Sequence, residues 1–560
     1  MSRFLARLLD SAHSSEHGMT TGAPVAPVRR TWPEVHAVAT RMAGALRAGA
    51  DDVPAVGKGT AVGVLAGEPA SIAPAAQAVW LAGGSVTMLH QPTARTDLAA
   101  WAEDTVTVLT MIDAGLVLLG PPFDALAPVL AERSIPFRTI SSLEAAGAAA
   151  VEPDAHAADE DDTALLQLTS GSTAEPKAVR ITHRNLEANI AGMIEASRLD
   201  IERDTMISWL PLFHDMGMVG FMTVPMAVGL ELVTVTPVDF LSRPLLWAEL
   251  ISTYGGTVTA APNFAYAVLG RQLARAEDGA LDLSSLRIAL NGAEPIDPDA
   301  VAAFTAAGAR FGLRPESVLA AYGMAETALG VSFAPVEQGL QVDAIDAEQL
   351  EAHRRAVPVA AGATGRGVRR FPLLGPPLPG IEARVVGEDG AVLGDREVGV
   401  IHLRGESVTP GYLTVDGPID TQDEEGWLDT GDEGYLVDGA VVVCGRRKDV
   451  IIMGGRNIYP TDIERAAVQA ADVRAGNAVA VRLFAGDERH RESFLVAVES
   501  RKAGDEEAEK AIAKDVTRQV LTAVGVRPAR VVVLGPGSLP KTPSGKLRRA
   551  ATGQLLAERV

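Results

Sequence analysis

Leu168-Thr-Ser-Gly-Ser-Thr-Ala-Glu-Pro-Lys-Ala178 is the most informative stretch of this 560-residue chain. It follows an apolar run, Ala164 to Leu168, and precedes a helix expected to begin near Thr182 to Asn185. Hydroxyl side chains, a glycine and a lysine after a strand suit a phosphate cradle. Backbone N–H groups point inward, Ser170, Ser172, Thr169 and Thr173 add donors, Gly171 allows close approach and Lys177 adds charge. Read alone, the same residues serve equally well as an ordinary Ser/Thr/Gly turn. It is not a Walker loop: Gly-x-x-x-x-Gly-Lys-Ser/Thr occurs nowhere, and Gly545-Lys546 is followed by Leu547.

Outward from this loop the chain alternates helical and strand-like segments. Thr31 to Glu34 has the Thr-x-x-Glu pattern of a capping box with Pro33 near the first helical position. Val35, Val38, Ala39, Met42 and Leu46 then recur on one helical face. Short apolar runs at Ala61 to Ala66, Val86 to Leu89, Leu232 to Val235, Val258 to Ala260 and Ile288 to Leu290 read as buried strands. Such strands between helices predict parallel sheets covered on both faces. From Gly375 to Val443 short alternating runs and many glycines predict an antiparallel sheet or small barrel. The fold class is therefore α/β. A large N-terminal domain, 1–445, carries parallel-type sheets and a β-barrel-like subdomain at about 375–445. A smaller, mobile α+β domain spans 446–560, with the hinge at 446–449.

Composition narrows the function. The length allows two to four domains, and 47% of residues are hydrophobic. A formal net charge of -21 argues against a nucleic-acid footprint, which needs clustered Lys and Arg. The single cysteine, Cys444, rules out an internal disulfide framework and cysteine-ligated metal sites, and fits a reducing cytoplasm. The N-terminal stretch lacks the continuous apolar core of a signal peptide. The longest uncharged run, Met216 to Leu230, contains Gly and Pro and falls short of the roughly 20 residues of a membrane helix. It reads as a buried segment near a pocket.

Further motifs lift the phosphate loop above a turn. They are Tyr322-Gly-Met-Ala-Glu-Thr327, Leu428-Asp-Thr-Gly-Asp432, the run Gly445 to Pro460 (GRRKDVIIMGGRNIYP), and Leu539-Pro-Lys-Thr-Pro-Ser-Gly-Lys-Leu-Arg548. Together with Thr169 to Lys177, and in this order across most of the chain, they resemble the adenylate-forming superfamily of acyl- and aryl-CoA synthetases, peptide-synthetase adenylation domains and luciferases.

That resemblance implies roles. Tyr322 stacks on adenine, and the backbone of Asn291, Gly292, Ala293 and Glu294, with Gly323 and Met324, lines the base. Glu326 holds Mg²⁺, a hard cation suited to carboxylate and phosphate oxygens. Thr327 reaches the α-phosphate, and Asp432 and Arg446 reach the ribose. Lys448 is the hinge residue and Lys546 the catalytic lysine. Each has a plain alternative: a core aromatic for Tyr322, a helix-end charge for Glu326, a turn residue for Asp432, a solvated basic tail for Lys546. The phosphate loop departs from the family in carrying Ala174 and Ala178 where glycine is usual, and alanine lacks glycine's freedom at positive φ.

Trp209-Leu-Pro-Leu-Phe-His-Asp-Met-Gly217 resembles the segment leading to the acyl pocket. It places His214 near the carboxylate, with Asp215 and Met218 as further pocket candidates, although a lone histidine and these methionines are as readily core. His-Asp-Met-Gly, Pro262-Asn-Phe-Ala-Tyr266 and Gly455-Arg-Asn-Ile-Tyr-Pro460 are similar to the fatty acyl-AMP ligases. So is the long stretch after Thr327, with Val342 to Arg370 as the insertion that hinders a CoA-using conformation. The resemblance implies ATP and Mg²⁺ as cofactors and a fatty acid as substrate, with acyl-AMP passed to the phosphopantetheine thiol of an acyl carrier protein. The rivals are an acyl-CoA ligase, an amino-acid adenylation domain and a catalytically silent nucleotide-binding scaffold. Chain length, carrier protein and oligomeric state are not legible in the sequence.

Overall fold

A computed structural model of the chain describes residues 1–50, 53–92, 97–146, 149–151, 158–169, 175–360, 362–363, 365, 367–453, 455–483, 493–541 and 547–557. Two eight-stranded sheets build the large domain. In the first, six parallel strands lie in the order Val318–Gly323, Ile288–Gly292, Val258–Pro262, Thr205–Ser208, Glu231–Thr234 and Gly18–Thr21. Antiparallel strands Gly330–Phe333 and Val28–Thr31 close its two ends. In the second, Thr163–Thr169, Ser85–Met88, Ala61–Leu65, Ala114–Leu119 and Phe137–Thr139 are parallel neighbours. The apolar runs of the sequence are these strands; Ala61–Leu65 and Val258–Pro262 are buried at every residue because helices cover both faces.

Local signals act as expected. Thr31 caps the helix Trp32–Ala48 in a full capping box with Glu34. Thr182 does the same for His183–Ser197, with Asn185 in the reciprocal role. Lys177 opens a strand, Lys177–Thr182, that pairs antiparallel with Thr163–Thr169, and Thr169 faces Lys177 in the register. The helix then begins at His183 behind its cap Thr182, where the sequence places it. Ala178, Val179 and Ile181 are buried in the intervening strand.

The β-rich segment forms a four-stranded antiparallel sheet, Ile381–Val386, Gly399–Gly405, Leu428–Val437 and Ala440–Arg446. The hairpin Gly411–Thr414 with Gly417–Asp420 leaves it and extends the second large sheet beside Lys177–Thr182. That departure carries Tyr412 beside Lys177. The C-terminal part has its own core around Ile463, Phe494, Val496, Val516 and Val520. It packs Glu506–Val524 and Pro460–Ala467 on the sheet Ala478–Leu483, Ser493–Glu499 and Arg530–Leu534. A one-turn helix, Arg447–Asp449, lies at the expected hinge and exposes Lys448.

Within the expected insertion, Val342–Asp346 pairs with Val368–Pro372 and a helix, Ala347–His353, lies between them. Its Glu351 is 2% exposed and accepts from Arg369 Nη2 at 2.6 Å and from Arg456 Nε at 2.8 Å. Arg369 also pairs with Asp462 at 2.9 Å. Arg354 and Tyr459 share Glu433, each at 3.1 Å. The expected insertion is therefore bonded to Arg456 and Asp462, and Arg354 shares Glu433 with Tyr459, all three beyond the expected hinge.

Candidate active site

The site lies where the carboxyl ends of the first large sheet meet the hairpin, the usual ligand position in parallel α/β sheets. A cavity partly open to solvent is lined by Gly292, Ala293, Tyr322 and Gly323 and by His214, Asp215 and Met216. Ala293 holds a positive φ of 66° at the strand end, and a Cβ on Gly292 would meet the Ala321 carbonyl at 2.9 Å. A side chain is thus excluded where the chain turns beside the cavity. Asn291 is fully buried and donates to Asn263 Oδ1 at 3.1 Å, while Glu294 accepts from the Phe264 N–H at 2.6 Å. These two side chains fasten the helix Asn263–Leu273 behind the cavity, leaving Gly292 and Ala293 to face it.

Tyr322 and Asp432 are joined. The Tyr322 hydroxyl donates to Asp432 Oδ2 at 2.5 Å, and Arg446 Nε reaches Oδ1 at 2.7 Å from the facing register position. Asp432 is 4% exposed, and burial raises its carboxyl above the usual carboxylate value against the pull of Arg446. Burial, and then the Asp432 charge, drive the Tyr322 phenol well above its usual value, so it remains a donor.

Glu326 follows the strand Val318–Gly323 in a single turn, Ala325–Thr327. Its Oε1 accepts from the Tyr412 hydroxyl at 2.7 Å, and its carbonyl accepts from the Thr409 N–H at 2.7 Å. Lys177 Nζ stands 5.5 Å from the centre of the Tyr412 ring. Tyr412, which the motifs did not mark, therefore touches both the carboxylate and the loop lysine. Thr327 is fully buried and its hydroxyl donates to the Met324 carbonyl at 3.0 Å. Ser170, Gly171, Ser172, Thr173 and Lys546 lie outside the described residues.

His214 Nδ1 lies 2.5 Å from Asp215 Oδ1, and the Met216 N–H donates to Asp215 Oδ1 at 2.7 Å. Met216–Thr223 is a wide π-helical turn, buried throughout. A Cβ on Gly217 would come within 2.2 Å of the Pro211 carbonyl, so glycine is needed for that packing. Of the three acyl-pocket candidates His214 and Asp215 line the cavity, whereas Met218, fully buried, is not among its lining residues. Met216, Gly220, Phe221 and Val224 face it instead, and Met218, two residues from Met216 and Gly220, points away from that face. A second histidine, His90, was not marked in the sequence. It sits edge-on to Phe213 at 5.7 Å, and burial, then the His214 and Arg548 charges, hold its imidazole at about 4. The only signal was its place after the buried strand Ser85–Met88.

The family described as AMP-binding enzyme matches residues 15–413. The chain belongs to that family. AMP-binding enzymes use ATP, and the joined Tyr322, Asp432 and Arg446 supply donors and an acceptor of the kind a nucleoside needs. Rv1013 of Mycobacterium tuberculosis, named a ligase, is 56% identical over 98% of this chain and 99% of its own. The long-chain-fatty-acid–AMP ligase FadD28 of the same organism is 32% identical over 71% of each chain. Among solved structures, a fatty acyl-adenylate ligase from work on the E. coli and L. pneumophila enzymes superposes with a TM-score of 0.86 at 30% identity. It covers 100% of this chain and 98% of that one. This AMP-binding enzyme is thus an adenylate-forming ligase with the fatty acyl-AMP ligases among its relatives. No helix among the described residues is long and apolar enough to cross a membrane.

Proposed function

We propose that this protein activates a fatty acid with ATP, forming acyl-AMP and pyrophosphate, and passes the acyl group to the phosphopantetheine thiol of an acyl carrier protein. The observation that carries the first step is one continuous cavity with Tyr322 and Gly323 at one end and apolar Met193, Phe221 and Phe333 further in. A carboxylate held near His214 attacks the α-phosphorus, the bond to the pyrophosphate oxygen breaks, and pyrophosphate leaves. Asp432 and Arg446 grip the ribose, Tyr322 covers the base, and Lys177 and Lys546 stand against the phosphoryl charge.

Glu326 is a single carboxylate, and no cluster of three His, Cys, Asp or Glu side chains among the described residues holds an ion by itself. That donor set fits Mg²⁺, which takes one or two carboxylates and completes its shell with phosphate oxygens and water. Bound there, the ion would neutralise phosphate charge. Tyr412 fixes the Glu326 rotamer for it. Tyr412→Phe keeps the ring beside Lys177 but removes the hydroxyl. We expect the Mg²⁺ concentration for half-maximal ATP–pyrophosphate exchange to rise about tenfold, the size of a hydrogen bond to a charged group. An unchanged Mg²⁺ titration would free Glu326 of this support.

The second step favours a carrier protein over free CoA because the insertion is bonded across the hinge through Glu351, Arg369, Arg456 and Asp462. A domain held this way resists the rotation that would admit CoA. Deleting 342–370 and closing the gap with a short linker is expected to raise acyl-CoA formation; a folded deletion variant that still rejects CoA removes the insertion from this role. The deciding experiment is product analysis by mass spectrometry with ATP, Mg²⁺ and mixed fatty acids, with and without CoA. Accumulated acyl-AMP with little acyl-CoA supports the reading, and abundant acyl-CoA moves the protein to the CoA ligases.

A further inference from the structure

The cavity follows one face of the first large sheet from end to end. Ile288, Leu290 and Gly292, alternate residues of one strand, all line it, as period-two geometry requires. Gly292 lies at the nucleotide end. At the other end Met206, Val258 and Ile288 lie at or beside the first residues of their strands, and Ser197, the last residue of the helix His183–Ser197, lines the cavity with them. All four are buried.

A buried ion pair stands behind that end. Arg287 Nε donates to Asp204 Oδ1 at 2.7 Å, and the Asp204 side chain is 1% exposed. Arg287 also donates to the carbonyls of Ser197 at 3.2 Å and Arg198 at 3.0 Å. The Thr257 hydroxyl donates to Asp204 Oδ1 at 2.8 Å. Each member of this clasp is the same residue as, or lies within two residues of, one that lines the far end: Ser197, Met206, Val258 and Ile288. The clasp therefore ties the helix end to the three strand starts that line this end of the cavity.

We propose that the Asp204–Arg287 clasp is the stop of an acyl tunnel, so that this protein selects straight acyl chains of medium length. The inference rests on the fatty-acid reading of the cavity. Four residue steps from Ile288 to Gly292 span about 13 Å at about 3.3 Å each, a length that an extended chain of about ten to twelve carbons fills. Each methylene inside the tunnel gains about fourfold in binding. A methylene beyond it has to displace Ser197 or part a buried ion pair, which leaves charges unpaired.

The test is a series of saturated fatty acids from six to eighteen carbons, offered to the full-length protein with ATP and Mg²⁺ and followed by pyrophosphate release. The matching acyl-sulfamoyladenosines are titrated by calorimetry as a readout independent of turnover. Both series should rise about fourfold per methylene to ten or twelve carbons and fall at least tenfold by sixteen. Ser197→Leu should move both optima to shorter chains, and Leu199→Phe, from the same wall, offers a second route if the first variant does not fold. Values that still climb through sixteen carbons, or optima unmoved in both folded variants, overturn the stop. Absence of turnover and binding with every acid overturns the fatty-acid reading itself and the stop with it.

Discussion

Lys546→Ala is expected to cut adenylate formation by about a hundredfold or more while ATP binding stays within a few fold of the unaltered chain. The charge that Lys546 is proposed to meet is small in the ground state and grows on the phosphoryl oxygens as the carboxylate attacks. A positioned ammonium therefore lowers the barrier more than it tightens binding. The lysine is far from the phosphate loop in sequence, so the case depends on where its flank lies. Arg548, two residues on, is near enough to His90 to help depress that imidazole, alongside burial and His214. ATP–pyrophosphate exchange measures the chemical step and calorimetry with ATP measures binding. Unchanged exchange takes Lys546 out of the mechanism, and equal loss in both measurements makes it a binding residue only.

Glu351→Ala should destabilise the protein by about 3 kcal/mol or more, because it leaves a buried guanidinium short of its counter-charge. Arg369 is 7% exposed and keeps Asp462, which sets the loss toward the lower end of the range for broken buried pairs. Arg456 loses its carboxylate and keeps the Val524 carbonyl, at 3.0 Å. Since Arg456 lies past the proposed hinge, the same substitution should loosen the C-terminal domain and raise acyl-CoA formation. Urea unfolding reads the first effect, and product analysis with CoA reads the second. A stability loss with no gain in CoA use would make Glu351 a structural anchor without a part in choosing the acceptor. No stability loss would mean that solvent replaces the pair at no cost.

Much of the fold could be read locally. Capping residues Thr31 and Thr182 and the all-apolar strands act through neighbours a few residues away, and short-range pattern reports such contacts well. The helix start near Thr182 is legible from its capping residues, whereas the pairing of Lys177–Thr182 with Thr163–Thr169 and Gly411–Thr414 is not, because strand partners lie outside any local window. The uncharged, methionine-rich composition of Met216 to Leu230 points to Met218 as a pocket residue, whereas Met216, Gly220, Phe221 and Val224 line the cavity.

The sequence by itself determined the family, the order of its motifs and the two-part architecture, since these rest on short runs of residue types whose chemistry is local. Only the tertiary structure decided which side chains work together. Tyr412 meets Glu326 across 86 residues, Glu351 meets Arg456 across 105, and Tyr322 meets Asp432 across 110. The far end of the cavity likewise exists only where a helix end and three strand starts converge on Asp204 and Arg287. The physical reason is the same in each case. A hydrogen bond or ion pair forms between groups that packing brings within about 3 Å, and separation along the chain carries no record of that distance.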